Sequence, residues 1–233
     1  AAARFSPGAK FIHLVRDGRD VAVSAKSSVF NHFHPYYVAR LWSAQQELAA
    51  GLSASLGKEG VLTVRYEDLT AEPEQTVKAV CGFLGEDYSD RLLYYYETEE
   101  AKQLAAASGS WSNCAKPVLR DNSGRYKKGL SAGAIRIFEA EACGQLERFG
   151  YRPDNSREAL LGLSPASPAR RARYFLSEKA RQAFVFLKSL LTDRNAFVML
   201  KKRLFLARAK FKIRIIRPYE APAAVSRGER PAP

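Results

Sequence analysis

The stretch KFIHLVRDGRDVAVS, residues Lys10–Ser24, decides which fold the sequence predicts. Its largely apolar run Phe11–Val15 is typical of a short strand that a parallel sheet buries on both faces. Asp17 and Asp20 follow, and acidic side chains suit the first turn of a helix, so we expect a turn and then a helix. Arg16 therefore lies at the carboxyl end of a strand, the edge at which open α/β sheets bind ligands.

Arg16 and Ser24 are the first candidate binding residues. The planar guanidinium of an arginine matches two oxygens of a phosphate. Ser24 comes eight residues later, about two helical turns along, and its hydroxyl offers a further donor. From the spacing alone, an ordinary strand–turn–helix unit with one surface arginine is the more common interpretation.

A second strand is predicted at Val61–Arg65, after a long amphipathic helix over residues 38–56. The apolar stripe of that helix is Val38, Leu41, Trp42, Leu48, Leu52 and Leu56. A strand, a helical crossover and another strand indicate a parallel sheet. Tyr66 ends the second strand as Arg16 ends the first. Its ring can stack on a purine, or it can simply be a part-buried residue at a strand end.

Further helices are predicted on both sides of a basic loop, over residues 72–84, 89–107 and 131–149. Pro73 and Gly85 suit the start and the end of the first of these helices. Leu92 and Leu104 are among the expected anchors of the second helix. Ser131 is the expected cap of the third.

The loop over residues 108–129 has a high density of basic side chains. They are Lys116, Arg120, Arg125, Lys127 and Lys128. A loop this basic beside a strand-end arginine favours a polyanionic ligand. The segment GRYKKGLS, residues 124–131, has the outline of a Walker A loop. Leu130 stands where that motif requires lysine, so we reject this assignment.

Four segments of the sequence, taken in order, resemble the sulfotransferases that use 3′-phosphoadenylyl sulfate (PAPS). RDGRDVAVS, residues 16–24, resembles the 3′-phosphate-binding segment of that family. VRYEDL at 64–69, KPVLRDNSGRY at 116–126 and FGY at 149–151 follow it. The resemblance covers roughly residues 8–152 and implies an α/β fold, a P-loop NTPase-like parallel sheet with helices on both faces. It also implies transfer of a sulfonyl group from PAPS.

The resemblance assigns roles to individual residues. Arg16 and Ser24 fall on the positions that hold the 3′-phosphate, and Tyr66 falls on the position that contacts the adenine side. In the tyrosylprotein type, Ser110 matches a hydrogen-bond donor at the transferring sulfonyl and is the candidate catalytic residue. The implied cofactor-binding residues are Arg16, Ser24, Tyr66, Lys116, Arg125 and Lys127. Which basic residue of the loop does most of the binding stays open, because the Arg-Lys-Gly triplet of the cytosolic type is absent.

The part of the family pattern that holds the 5′-side of PAPS has no match in this sequence. That part is a Gly- and Lys-containing loop followed by a His or Glu base, and nothing before Lys10 corresponds to it. His13 lies inside the first strand and is not a substitute. We therefore expect residues 1–152 to be the C-terminal portion of a catalytic domain without its P-loop unit. We also expect the chain to be inactive alone.

The acceptor is expected to be a hydroxyl or an amine on a small molecule, a glycan or a protein. One alternative is a non-catalytic protein that binds an anionic membrane or nucleic acid, with nucleic acid the less favoured. A second alternative is another nucleotide-dependent transferase, such as a kinase.

The charge of the chain is concentrated in its C-terminal third. The formal net charge is +13, and residues 153–233 hold 18 Lys/Arg against 6 Asp/Glu. We expect a linker at 153–169, a basic amphipathic helical extension at 170–217 and a disordered tail at 218–233. The extension can bind an anionic membrane surface as a peripheral contact, bind nucleic acid, or pack on the domain or on a partner chain.

Cysteine usage predicts the compartment and argues against a metal site. The three cysteines are odd in number and widely spaced, without a CxxC pair, which favours a reducing compartment, free thiols and no zinc. No apolar run reaches 18 residues, so no membrane-spanning helix is predicted. We expect a cytoplasmic protein that can associate peripherally with a membrane through residues 170–217.

Overall fold

The structure, a computed structural model, describes residues 8–26, 32–107, 109–120 and 122–192, and residues 201, 202, 205, 206 and 208. The chain divides into two compact units, Ala1–Gln182 and Ala183–Pro233. The first unit contains both predicted strands and every described residue of the candidate site. In the second unit, the described residues are helical.

The two predicted strands form where the sequence places them. β1 is Phe11–Val15 and β2 is Val61–Arg65, and they pair in parallel with Phe11 opposite Val61 and Val15 opposite Arg65. This register brings the carboxyl ends of the two strands to the same edge of the sheet. The predicted parallel pairing is confirmed.

Helices fill most of the remaining described sequence. They are α1 Gly18–Ala25, α2 Pro35–Gly60, α3 Tyr66–Ala71, α4 Pro73–Leu84, α5 Glu99–Ala107, α6 Tyr126–Gly129, α7 Ala132–Arg148, α8 Arg157–Leu160 and α9 Pro168–Thr192. The described residues also form 3-10 helices over Asp90–Glu97 and Gly109–Ala115. The caps agree with the sequence, since Pro73 opens α4, Gly85 ends it in the left-handed conformation, and Ser131 caps α7.

Helices α1, α2 and α7 pack together on one face of β1. The buried cluster between them contains Val15, Ala22, Ala25, Val38, Ala39, Trp42, Phe138, Ala142 and Leu146. Gly18 makes this packing tight, because a Cβ atom there would lie 2.5 Å from the ring of Phe138 and 2.7 Å from that of Trp42. Only glycine lets the start of α1 come so close to both rings.

The other face of β1 differs from the sequence prediction. Ile12 and Leu14 are 45% and 53% exposed, although their apolar character predicts burial. His13, on the opposite face, contacts Gln46 of α2 and the ring of Phe149. Within the described residues, helices therefore cover one face of β1, and the P-loop-like character of the sheet stays a prediction.

The predicted helix over residues 89–107 is divided in two. A 3-10 helix ends at Glu97, and α5 begins at Glu99. Thr98 separates them because its hydroxyl accepts a hydrogen bond from the backbone N–H of Ala101, a capping contact that starts a new helix. The expected anchors Leu92 and Leu104 are exposed, as are Leu41 and Leu48 of the α2 stripe.

A buried charge cluster lies at the start of α1. Arg19, 2% exposed, donates to both carboxylate oxygens of Asp17 at 3.0 and 2.8 Å and to Glu139 Oε1 at 2.6 Å. The Arg19 guanidinium also lies 4.0 Å from the centre of the Tyr126 ring and 3.5 Å from Asp154 Oδ1. Burial alone would lower the pKa of Arg19. The hydrogen bonds and charges of Asp17 and Glu139 outweigh burial and raise that pKa above its ordinary value.

Glu139 also holds the chain that follows α7. Its Oε1 accepts a hydrogen bond from the N–H of Asp154 at 2.8 Å, and its Oε2 accepts two from Asn155 at 3.0 and 2.6 Å. The expected linker thus begins with residues fixed on the core. The compact unit that contains these contacts extends to Gln182 and includes the first part of α9. The expected domain, linker and extension boundaries stay predictions.

Glu178 of α9 caps the entry to α2. Its buried carboxylate accepts hydrogen bonds from the backbone N–H groups of Phe33 and His34, and it lies 3.1 Å from the ring of His32. The ring of Tyr174 lies 4.5 Å from that of His34. This contact ties α9 to the segment that precedes α2.

Further expectations concern the cysteines, membrane-spanning helices and the C-terminal residues. The three cysteines are free thiols, as predicted. No helix among the described residues is long and apolar enough to cross a membrane. Part of the predicted extension at 170–217 and all of the predicted tail at 218–233 lie outside the described residues, and both stay predictions.

We expect Glu139→Gln to lower the free energy of unfolding by about 3 kcal/mol, the scale for breaking a buried ion pair. The neutral amide offers one acceptor oxygen where the carboxylate has two, and its NH₂ group would face another donor. Urea denaturation measures the change. Glu99→Gln is the matched control, because its pair with Lys102 is exposed, and we expect it to change the free energy of unfolding far less than Glu139→Gln does. Equal losses for the two variants would contradict the structural role of Glu139.

We expect stability to fall as the pH drops below about 6.5, because burial lowers the pKa of His34 below its ordinary value. Arg173 lowers this pKa further and Glu178 opposes the shift. Neutral His34 caps α2, its Nδ1 accepting the N–H of Tyr36 at 3.2 Å. The unfolded chain takes up the proton more readily, so this contribution is complete above the unfolded-state pKa and is lost as the pH falls through the folded-state pKa.

The measurement is the urea midpoint at about pH 7.5 and about pH 5.5. His34→Asn is the control, because asparagine also caps helices but does not titrate. The parent protein should lose more stability than the variant between the two pH values. An identical loss in both proteins would exclude His34 as the source.

Candidate functional site

The backbone of Arg16 is fixed at the carboxyl end of β1. Its carbonyl oxygen accepts a hydrogen bond from Trp42 Nε1 at 3.1 Å. Next to it, the N–H of Asp17 donates to Glu67 Oε1 at 3.1 Å. Glu67 Oε2 in turn accepts the hydroxyl of Tyr151 at 2.7 Å. One carboxylate thus joins the end of β1, the start of α3 and the segment that follows α7.

Glu67 has a local structural role, since both of its carboxylate oxygens accept hydrogen bonds from neighbouring elements. Tyr151 supports it from the FGY segment, with its ring 4.7 Å from the guanidinium of Arg65. Burial and the hydrogen bond to Glu67 raise the pKa of Tyr151, so it stays protonated and continues to donate.

The side chain of Arg16 stacks on Tyr66. The guanidinium lies 4.3 Å from the centre of the Tyr66 ring, and its Nη2 donates to the backbone carbonyl oxygen of Asn122. Asp20 Oδ2 lies 3.6 Å from the same nitrogen. The two strand-end residues singled out by the sequence are therefore in direct contact.

Asp20 links α1 to the basic loop. Its buried Oδ1 accepts the backbone N–H of Tyr126 at 2.8 Å, just after Arg125. Tyr126 also covers Arg19, and its hydroxyl donates to Asp154 at 2.9 Å. Burial raises the pKa of Tyr126, which keeps this hydroxyl a donor. The loop is thereby held against the first turn of α1.

Asn122 joins the predicted residues to one another. Its Nδ2 donates to the hydroxyl of Tyr66 at 2.6 Å, and its Oδ1 accepts from Arg125 Nη1 at 2.9 Å. Arg16, Tyr66 and Arg125 thus surround a single residue. Sequence reasoning missed it, because asparagine before Ser123 and Gly124 is also the ordinary composition of a turn.

The other candidates lie on neighbouring elements. Ser24 is exposed near the end of α1, and Lys127 is exposed in α6. Lys116 is exposed too, with its Nζ 3.2 Å from Asn113 Oδ1. Ser110 belongs to the 3-10 helix Gly109–Ala115, but its side chain lies outside what the structure describes. The described interactions include no direct contact of Arg16 with Lys116 or Lys127.

Within the described residues, two buried polar atoms of the site, Arg16 Nε and Asp20 Oδ2, have no hydrogen bond, although Asp20 Oδ2 belongs to the ion pair with Arg16 Nη2. A buried N–H without a partner is costly, and a guanidinium with an unused N–H is suited to an anion. Arg16 stacks on the ring of Tyr66, and Arg125 is joined through Asn122 to the hydroxyl of the same tyrosine. The arrangement is suited to an anionic ligand that also carries a flat ring. No group of three or more His, Cys, Asp or Glu side chains that could hold a metal occurs in the part of the chain that the structure describes.

Comparison with known proteins relates the chain to one family. The model of the sulfotransferase family matches residues 1–90. Protein-tyrosine sulfotransferase 2 of Gallus gallus is 28% identical over 158 residues, which are 64% of this chain and 42% of that protein. The protein-tyrosine sulfotransferase of Drosophila melanogaster is 24% identical over 155 residues, 63% of this chain and 31% of that protein. Protein-tyrosine sulfotransferase A of Caenorhabditis elegans is 24% identical over 156 residues, 64% and 40% of the two chains.

The chain spans less than half the length of these curated relatives. The predicted resemblance to sulfotransferases, and to their tyrosylprotein type, is confirmed for the N-terminal region of the chain. That region contains β1, α1, β2 and the strand-end residues Arg16 and Tyr66.

We expect Tyr151→Phe to lower the free energy of unfolding by about 1–2 kcal/mol, since Glu67 Oε2 loses a buried donor. The backbone N–H of Asp17 should also exchange faster with solvent, because its acceptor is no longer held. Urea denaturation and amide hydrogen exchange measure the two effects. Tyr94→Phe, at an exposed tyrosine, is the matched control and should change neither. Unchanged exchange at Asp17 would show that Tyr151 does not support the end of β1.

Proposed function

We propose that the protein takes part in sulfonyl transfer from PAPS to a hydroxyl group of a protein, because the sulfotransferase family model matches its residues 1–90. We assign to this chain the 3′-phosphate and adenine side of the PAPS site. The observation that carries the proposal is the contact of Arg16, Tyr66 and Arg125 around Asn122, at the carboxyl end of β1.

The 3′-phosphate is assigned to Arg16. A guanidinium can donate two parallel hydrogen bonds to a phosphate, and Arg16 Nε is buried without a partner among the described residues. Ser24, Arg125 and Lys127 are proposed as further donors to phosphate oxygens. Three cationic side chains in one region also raise the local concentration of an anionic ligand.

The adenine is assigned to Tyr66. Arg16 holds the tyrosine ring from one side, and a ring so fixed can contact a purine without losing further freedom. Its hydroxyl is positioned by Asn122 and can reach a ring nitrogen of the base.

When bound, PAPS would supply the sulfonyl group. A bond from the acceptor oxygen to sulfur would form, the bond from sulfur to the 5′-phosphate oxygen would break, and 3′-phosphoadenosine 5′-phosphate would leave. The proton of the acceptor hydroxyl goes to a base, and no described residue of this chain is assigned that role. Ser110 is proposed to donate a hydrogen bond at the transferring group. Lys116 is proposed to stabilise charge that develops on the leaving phosphate.

The names of the relatives favour a protein hydroxyl over the small-molecule, glycan and amine alternatives. They also favour sulfonyl transfer over kinase chemistry. The expectations of membrane contact through residues 170–217, of a cytoplasmic location and of inactivity for residues 1–233 alone stay predictions.

We expect the chain to bind 3′-phosphoadenosine 5′-phosphate and Arg16→Ala to weaken that binding about 30-fold or more, the scale for removing one partner of a buried charge pair. Isothermal titration calorimetry measures the affinity. Arg157→Ala is the matched control, because its side chain is 75% exposed and pairs with Glu147 on another surface. It should bind like the parent.

A parent chain that fails to bind the nucleotide, or an Arg16→Ala variant with unchanged affinity, would overturn the assignment. The acceptor class is checked in the same protein with its natural flanking sequence. Label from PAPS should appear on tyrosine residues of a protein acceptor and not on the same acceptor with phenylalanine in their place.

A further inference from the structure

We infer that Asn122 is a positioning residue that holds Tyr66 and Arg125 in their binding geometry and so couples recognition of the base to recognition of the phosphate. The inference rests on the proposed function and concerns the same site. Neither the match over residues 1–90 nor the sequence motifs assign a role to this position.

Asn122 contacts three of the proposed ligand-binding side chains with three different groups. Its backbone carbonyl oxygen accepts from Arg16, its Nδ2 donates to the Tyr66 hydroxyl, and its Oδ1 accepts from Arg125. A carboxamide can donate and accept at once. An aliphatic side chain can do neither, and a carboxylate only accepts.

The bond from Asn122 determines which way the Tyr66 hydroxyl donates. At 2.6 Å, Nδ2 occupies an acceptor site of the hydroxyl oxygen. The proton of the hydroxyl then points to another acceptor, and the ring nitrogens of adenine are acceptors. The guanidinium of Arg16 lies 4.3 Å from the centre of the Tyr66 ring and holds the ring in one orientation. The direction in which the hydroxyl donates is therefore set before the ligand binds.

The hydrogen bond from Arg125 to Asn122 prepares Arg125 to bind a phosphate oxygen of the ligand. Arg125 is exposed, and a free arginine side chain loses much rotational freedom when it binds. Asn122 Oδ1 lies 2.9 Å from Arg125 Nη1 and restrains the guanidinium in the unbound protein. The same asparagine therefore pre-organises one group for the base and one for an anionic oxygen.

Two substitutions at Asn122 separate these effects. Asn122→Ala removes both side-chain bonds and keeps the backbone bond to Arg16. Asn122→Asp keeps an acceptor for Arg125, loses the donor to Tyr66 and adds negative charge near the phosphate. Ser123→Ala is the matched control, since Ser123 is the exposed neighbour in the same turn.

The experiment measures binding of 3′-phosphoadenosine 5′-phosphate and of adenosine 5′-phosphate, which lacks the 3′-phosphate, by the full chain. We expect Asn122→Ala to bind the first ligand about tenfold more weakly, the scale for losing one to two positioned hydrogen bonds. The preference for the first ligand over the second should shrink. Asn122→Asp should lose this preference more strongly, because its charge repels the 3′-phosphate. Ser123→Ala should match the parent.

A double-mutant cycle with Tyr66→Phe tests the route of the effect. If Asn122 acts partly through the Tyr66 hydroxyl, then Asn122→Ala should cost clearly less in the Tyr66→Phe variant than it does in the parent. Thermal unfolding identifies any variant that is no longer folded. If Asn122→Ala does not fold, the nucleotide affinities of Asn122→Asp test the role of Asn122.

The outcomes separate the two proposals. A parent chain that binds neither nucleotide overturns the proposed function and this inference together. A parent that binds, with Arg16→Ala weakened and Asn122→Ala equal to Ser123→Ala, leaves the proposed function standing and overturns the role of Asn122. Fully additive losses in the cycle would exclude positioning through Tyr66.

Discussion

The buried guanidinium of Arg19 is the interaction on which the described architecture depends. It joins Asp17 at the start of α1, Glu139 in the middle of α7 and Asp154 beyond that helix. A buried charge is tolerated only when it is paired and hydrogen-bonded. The guanidinium of Arg19 therefore needs these carboxylates around it, and they are held together through their shared partner. Three segments far apart in sequence are thereby fixed in one arrangement.

The candidate site depends on the same turn. Asp17 and Asp20 both belong to it, and while Asp17 binds Arg19, Asp20 holds the backbone of Tyr126. The basic loop is thus attached to the end of β1 by Asp20, a group that the proposed function does not assign to the ligand. The hydroxyl groups of Tyr66 and Tyr126 and the carboxamide of Asn122 complete the attachment. In the proposed function, Arg16 and Arg125 are the charged groups that meet the ligand, and these other residues hold the turn and the loop in place.

The local parts of this structure follow from the sequence. β1, β2, α4 and the cap of α7 depend on apolar spacing and on Pro, Gly and Ser at element ends, and these signals act within a few residues. Burial of Ile12 was predicted wrongly, because the apolar pattern cannot tell which face a neighbour covers. Asn122 and Glu139 were not predicted as network members, since their partners lie far away in sequence. Strand-end Arg16 and Tyr66 were found because topology alone brings parallel strand ends together.

The pairing of β1 with β2 has a consequence for the speed of folding. Each residue of β1 pairs with one fifty positions later, as Phe11 does with Val61. Ordering so long a stretch costs entropy before the first ladder bond forms, and such non-local pairings fold slowly. Much of that stretch is α2, which can form from local contacts. Once α2 has formed, fewer conformations of the intervening chain remain, and the two strands can meet more readily. The parallel ladder is therefore expected to form late in folding, after its crossover helix.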